Sequence, residues 1–493
     1  MPQTPEAVRM PVAAPLHAVR SHVNPTHVTP PSSTVGMVGV LVVLLGAFLS
    51  MLDFFVVNVS LESIQTDLHT SSASLELVVA GYGIAYAVLL VLGGRLGDAF
   101  GRRRLFLAGM VAFGITSLLC GLAPTTETLV LGRALQGVSA AAMVPQVLAT
   151  IQAATHGRHR ARAISLYGAM GGIASVAGQL LGGVLVSANL AGTEWRPIFL
   201  INIPVVIVGL ILARRILPET RSSQSLRLDI PGTALLAVSL LLLLIPLSEG
   251  RAEGWPRWSW AMLAAVPFAA AAFFAVERRM ERSGGLPLVP PSLLKVSSVR
   301  TGLALGVPFF AGFGGFMFVL AVSLQQVTHH SALQAGLVLV PMGAGMLVSS
   351  MLTPRLLNRY GRRVITAGAL IVVVGLAAVA LTALNSWSDL SLLHLAPGMA
   401  IAGFGNGLVM APLFSVVLSQ VPAERAGVGT GVLITMQQAS LSLGVAVMGG
   451  IFLSLSQMSS VGPAHAFAVV LGIQALAALA IVVAGRRLPA RVG

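Results

Sequence analysis

Gly94-Arg95-Leu96-Gly97-Asp98-Ala99-Phe100-Gly101-Arg102-Arg103 returns in weakened form at 354–363 as Pro-Arg-Leu-Leu-Asn-Arg-Tyr-Gly-Arg-Arg. Each copy follows the second apolar segment of a block of six. Short basic turns occur in any membrane protein, but these two match in phase, in loop type and in segment number. The sequence therefore reads as two parallel six-helix repeats, 37–216 and 302–485. Transporters use such repeats to close two similar halves around a site near the bilayer midplane.

The 493 residues are 56% hydrophobic and only 9% charged, where a soluble protein carries about 25% charged residues. The membrane is the solvent. A spanning helix needs about 20 mostly apolar residues, and fourteen segments qualify: 37–58, 74–94, 105–122, 127–151, 163–187, 197–216, 230–247, 260–276, 302–324, 333–353, 364–384, 392–418, 429–453 and 465–485. With the amino terminus cytoplasmic, 26 of the 30 Lys and Arg residues fall in the tails and even-numbered loops. Only Arg196, Arg251 and Arg257 lie in outer loops, and Arg133 lies within a span. This obeys the positive-inside rule. The net charge of +14 is thus explained by topology, and no nucleic-acid partner is expected.

The expected organisation is a disordered cytoplasmic tail (1–36), the first bundle (37–216), a linker carrying spans seven and eight (217–301), the second bundle (302–485) and a short cytoplasmic tail (486–493). The single cysteine, Cys120, can close no intrachain disulfide. The histidines, including His156, His159, His329 and His330, show no metal-ligand spacing. No Gly-x-x-x-x-Gly-Lys-Ser/Thr loop is present, so ATP is not the expected energy source, and no hydrolytic constellation suggests an enzyme. An ion gradient remains. Rich Arg and Ala usage with Lys295 as the only lysine suggests a GC-rich bacterial source.

Several stretches together resemble the fourteen-helix drug:proton antiporters of the major facilitator superfamily. Leu52-Asp53-Phe54-Phe55-Val56-Val57-Asn58-Val59-Ser60-Leu61 resembles the first-helix motif of that branch, with Glu62 in place of a proline. Gly94, Leu96, Asp98, Gly101, Arg102 and Arg103 match the gating-loop motif. Leu129, Arg133, Gln136 and Gly137 match the fourth-helix motif, and Trp195-Arg196 with Phe199 to Pro204 is typical of the branch. In the fifth-helix antiporter motif Gly178, Gly182 and Gly183 fit, while Gln179 replaces a proline and Ala174 a glycine. The resemblance implies an all-α fold of 6 + 2 + 6 helices, alternating access and proton-driven export of amphipathic drugs or antibiotics. It further implies a monomer in the bacterial plasma membrane with both termini cytoplasmic, and no cofactor beyond the proton gradient. It makes Asp98, Arg102 and Arg103 gating residues that latch the two halves. The alternative is that the arginines serve only as topology anchors, and that reading is preferred for Arg104.

Asp53 and Arg133 are the only ionisable residues deep within spans, where an unpaired charge is costly. Asp53 lies five residues before the expected end of span one and Arg133 six residues after the start of span four, so both sit at similar depth. A carboxyl group that exchanges the coupling proton, a static ion pair that fixes helix packing, and an Arg133 that caps backbone carbonyls all fit these positions. In the gating loop, Gly94 and Gly101 are expected to form a tight turn. Asn58, Gln136, Gln146, Gln179, Asn406, Gln437 and Gln438 are polar candidates for a substrate cavity, with Phe54 and Phe313 as apolar ones. Each polar group can equally bond a neighbouring helix. Glu62 and Glu76 read as solvated ends, and the glycines of spans five and twelve as close-packing surfaces. A nutrient or lipid carrier and a non-transporting receptor or scaffold remain open as alternatives.

Overall fold

The computed structural model describes residues 35–220, 229–250, 253–285, 287–387, 390–418 and 426–485. Residues 1–34 of the expected tail 1–36, the expected tail 486–493, the stretch 221–228 and the side chain of Glu76 lie outside the described residues. The described chain has no strand, and fourteen of its helical segments are long and apolar enough to cross a membrane. In the first half, α1 (Met37–Val56) leads into α2 (Leu61–Leu68), followed by α3 (Ser72–Phe100), α4 (Arg102–Gly121), α5 (Thr126–Ala154), α6 (Gly157–Ala188), α7 (Pro197–Leu200) and α8 (Asn202–Ile216). The linker pair is α9 (Ile230–Glu249) and α10 (Arg257–Arg282), followed by the short α11 (Pro291–Leu294). The second half holds α12 (Ser297–Val322), α13 (Ala332–Val338), α14 (Val340–Tyr360), α15 (Arg363–Asn385), α16 (Leu392–Leu418), α17 (Ala426–Ser456) and α18 (Gly462–Ala484).

The repeat in sequence is a repeat in packing. In the first half α1 packs on α6, α5 contacts both α3 and α4, and α4 contacts α8. The second half reproduces these pairs as α12 on α17, α16 on α14 and α15, and α15 on α18. The halves meet where α3 lies along α17 and α6 along α13 and α14. In the linker, α9 packs against α3 and α17, whereas α10 exposes Trp260 and Phe268. A helix apolar on its outer face belongs against lipid.

Several boundaries differ from expectation. Helix does not stop at Asn58: Val57–Ser60 is one buried 3-10 turn that carries α1 on into α2. Span two runs to Phe100, past its first arginine, so Gly94 is helical and makes no turn. The turn is Gly101 alone, at φ 108°, a conformation that favours glycine. Span six breaks at Ile201, three residues before Pro204, which has no N–H to offer Leu200 O. Span ten breaks at Leu339 for the same reason, with Pro341 opening α14. Val35, expected in the tail, is buried, and its N–H donates to Ala154 O at 3.0 Å.

Candidate functional site

The chain brings Asp53 on α1 and Arg133 on α5 into contact, with Arg133 Nη1 2.5 Å from Asp53 Oδ2 and both side chains fully buried. Burying one charge without a partner would be prohibitive, and the surroundings are built to satisfy both. Asp53 Oδ1 accepts from Gln136 Nε2 at 2.9 Å and from Asn202 Nδ2 at 2.6 Å. Both amides also reach Ser117 Oγ, at 2.8 and 3.2 Å. Gln136 is one turn beyond Arg133 on α5, and its Oε1 accepts from Arg133 Nη1 at 2.7 Å. The break at Ile201 places Asn202 at the first residue of α8, where its amide reaches Asp53.

Arg133 has other supports besides Asp53. Its Nε donates to Val78 O at 3.1 Å, and its guanidinium lies over the Tyr82 ring, 4.4 Å from the centroid. A cation over a desolvated aromatic face is held by about 2 kcal/mol. Tyr82 in turn hydrogen-bonds Ser50 on α1, with hydroxyl oxygens 2.5 Å apart. Arg133 Nη2 and Asn202 Oδ1 are buried and meet no hydrogen-bond partner among the described residues. The network therefore has spare donor and acceptor capacity.

Next to this network, Ser50, Met51, Phe54, Phe55, Tyr82, Tyr86, Gln438 and Leu441 surround a void of about 10 Å³. Such a space holds about one water. Across it Phe55 meets Phe313 edge-on, with ring centroids 6.2 Å apart. Of the cavity candidates, Phe54 and Gln438 line the void and Phe313 stands beside it; the others go elsewhere. Gln136 belongs to the charged network. Gln146 Nε2 donates to Gly93 O at 2.8 Å, joining α5 to α3. Gln179 donates to Met317 Sδ at 3.2 Å, across the halves, and its Oε1 meets no hydrogen-bond partner among the described residues. Asn406 bonds Ala402 O on its own helix, Asn58 accepts from Gln325 through its backbone carbonyl, and Gln437 is buried.

The gating-loop residues sit at the other end of α3. Arg102 donates to Asp98 Oδ1 from Nη2 at 2.8 Å and to Ala149 O at 3.3 Å. Arg103 holds Glu219 through its backbone N–H and Arg214 O through its guanidinium. None of these described contacts reaches the second half. The close approach in the motif is made by Gly97, where a Cβ would occupy the space of the Gln146 amide, while Gly94 meets Pro145 only at 3.7 Å.

Tyr82, Tyr86, Ser50 and Ser117 carry no mark in the sequence reading, and Asn202 enters it only as part of the Phe199 to Pro204 stretch, with no role of its own. A signal existed for two of them, since Tyr82 and Tyr86 are half of the four tyrosines and lie one turn apart on one helix face.

The sequence profile of the Major Facilitator Superfamily matches residues 43–445. A probable actinorhodin transporter of Streptomyces coelicolor is 37% identical over 415 residues, covering 84% of this chain and 72% of that protein. The puromycin resistance protein of Streptomyces alboniger is 36% identical, covering 83% of this chain and 80% of its own length. Among solved structures, an auto-inhibited POT-family peptide transporter superposes with a TM-score of 0.64 at 18% identity, covering 91% of this chain and 97% of that one. At that identity the likeness speaks for the fold.

Proposed function

The chain belongs to the Major Facilitator Superfamily, and from that premise we propose that it exports amphipathic antibiotics or drugs in exchange for protons. One observation carries the reading: a carboxyl group, Asp53, is fully buried and reachable by a guanidinium and two amides, next to an aromatic void at the contact of the two halves. Burial disfavours the charged carboxylate and Arg133 favours it, so any motion that parts the two hands Asp53 a proton. Arg133 can bear that separation because Val78 O, Gln136 and the Tyr82 ring already support it. Tyr82 touches both the void and Arg133. A substrate entering there presses on the ring that holds the arginine, which ties binding to proton exchange.

The void must widen to admit a drug, since pockets for such ligands measure about 300–1,000 Å³. Parting the halves at the Phe55–Phe313 and Gln179–Met317 contacts does this. In this reading Asp98, Arg102 and Arg103 brace the cytoplasmic end, both termini are cytoplasmic by the charge asymmetry, and a monomer in the bacterial plasma membrane suffices. Proteoliposomes provide the test: a cationic dye or antibiotic accumulates when a pH gradient is imposed, and a protonophore abolishes the accumulation. Transport unaffected by the gradient contradicts proton exchange, and no transport of any such compound contradicts drug export.

A further inference from the structure

Among the described residues two carboxyl side chains besides Asp53 are buried, Asp229 at 3% exposure and Glu277 at 0%, and neither takes part in the hydrogen bonds of the network above. They lie at the neighbouring ends of the linker helices. Asp229 caps α9, its Oδ1 accepting from Gly232 N at 2.8 Å, and Glu277 stands near the end of α10. The chain after α10 folds back over them, so that Leu288 N donates to Asp229 Oδ2 at 3.1 Å and Val289 N to Glu277 Oε2 at 2.6 Å. Three of the four carboxyl oxygens thus receive a backbone N–H. The fourth, Glu277 Oε1, is buried and receives none from any described residue. It faces the partner carboxyl instead: a Cβ at Gly232 would collide with Asp229 Oδ2 and Glu277 Oε1 together, so the two oxygens crowd one small space. Two bare carboxylates are acceptors only and repel each other, and a hydrogen on one of them turns that contact into a bond.

We propose that Asp229 and Glu277 form a second proton-binding site, in which Glu277 Oε1 carries one proton and donates it to Asp229 Oδ2. With that proton the pair holds a single negative charge. Arg95 balances it from α3, while its Nη2 donates to Pro287 O at 2.9 Å in the same fold-back segment. Asp98 is the other charged group facing Arg95. Glu281, one turn on, is engaged by Ser292, and neither α17 nor α11, which pack on the linker helices, has an ionisable residue in its helical range. Val91, Phe273 and Leu288 form an apolar cluster beside the pair and keep water away. A proton fits better than a metal ion, since no three His, Cys, Asp or Glu side chains among the described residues converge on one point. Loss of the proton sets two like charges side by side beneath residues 287–289 and loosens the clasp between the linker pair and α3. The site makes no use of Asp53, so it stands or falls apart from the proposed coupling.

The test is pH-difference infrared spectroscopy of the full chain in lipid nanodiscs, in an Asp53→Asn background that removes the other buried carboxyl. A deuterium-sensitive C=O band of a protonated carboxyl is expected at neutral pH. Glu277→Gln, isosteric with the protonated acid, removes the band, and Asp229→Asn shifts it by changing the acceptor. If the Glu277→Gln protein does not fold, the Asp229→Asn shift decides. The proposal is overturned by absence of the band in the Asp53→Asn protein, by a band unmoved in both linker variants, or by its loss on adding Na⁺ or Mg²⁺ at constant pH, which would make the ligand a metal cation.

Discussion

Gly101 and Gly361 turn the chain at the same point of the two halves, both with positive φ, 108° and 54°. Around them the halves diverge. At the position of Gly97, which Gln146 crowds in the first half, the second half carries Leu357. The first half buries Asp53 and Arg133, while the described residues of the second half bury polar groups such as Asn406, Gln325 and Gln474 but no charge. The same helix pairings therefore form with and without an internal ion pair. Packing specifies this fold, and the buried charge is an expense that packing alone does not require. Ionisable groups held at such cost inside a membrane protein are functional candidates by default.

The difference between halves can be broken from either side. Arg133→Ala leaves Asp53 buried without its counter-ion, and thermal unfolding in detergent should register a loss of about 3–5 kcal/mol. Replacing both members, Asp53→Leu with Arg133→Met, makes the first half resemble the second. Stability should then recover to near wild type, because well-packed apolar residues can stand in for a buried pair, while gradient-driven transport stays lost. Recovery of transport in the double variant would show the pair to be structural. Asn202→Ala removes one donor to Asp53 Oδ1 and a partner of Ser117, and the same unfolding measurement should fall by about 1–3 kcal/mol. Gly97→Ala should cost a similar or smaller amount, about 1–3 kcal/mol, through overpacking against Gln146. Gln146→Ala should relieve it, and a cost that persists in the double variant would locate the strain elsewhere. Smallest is Arg104→Ala, since the Arg104 side chain is 75% exposed and lies 3.6 Å from Glu219; a change below about 1 kcal/mol is expected.

The pairing of Asp53 with Arg133 was legible because charge is so rare in the spans that two such residues at equal depth have few other partners. The repeat was legible because its basic turns interrupt apolar runs. Asn202, Ser117 and Tyr82 were not, because a neutral polar residue in a span reveals its facing only once helix rotation is known, and the facing of Asn202 depends on the break at Ile201. At Gly94 the apolar window ends with Arg95 and the sequence reads as a turn, whereas the helix runs on to Phe100 with Gly93 and Gly97 spaced to fit α5. Asp229 and Glu277 border stretches that read as polar linker, so their burial depended on the fold-back of residues 287–289.

Asp53→Asn separates the two transport modes most directly. In proteoliposomes without a pH gradient, the variant should still exchange labelled for unlabelled substrate, since the void and its aromatic walls are intact. With a gradient imposed it should fail to accumulate substrate, because no carboxyl group remains to carry the proton past Arg133. Gradient-driven accumulation equal to wild type in the Asp53→Asn protein would contradict the assignment of Asp53 as the coupling group.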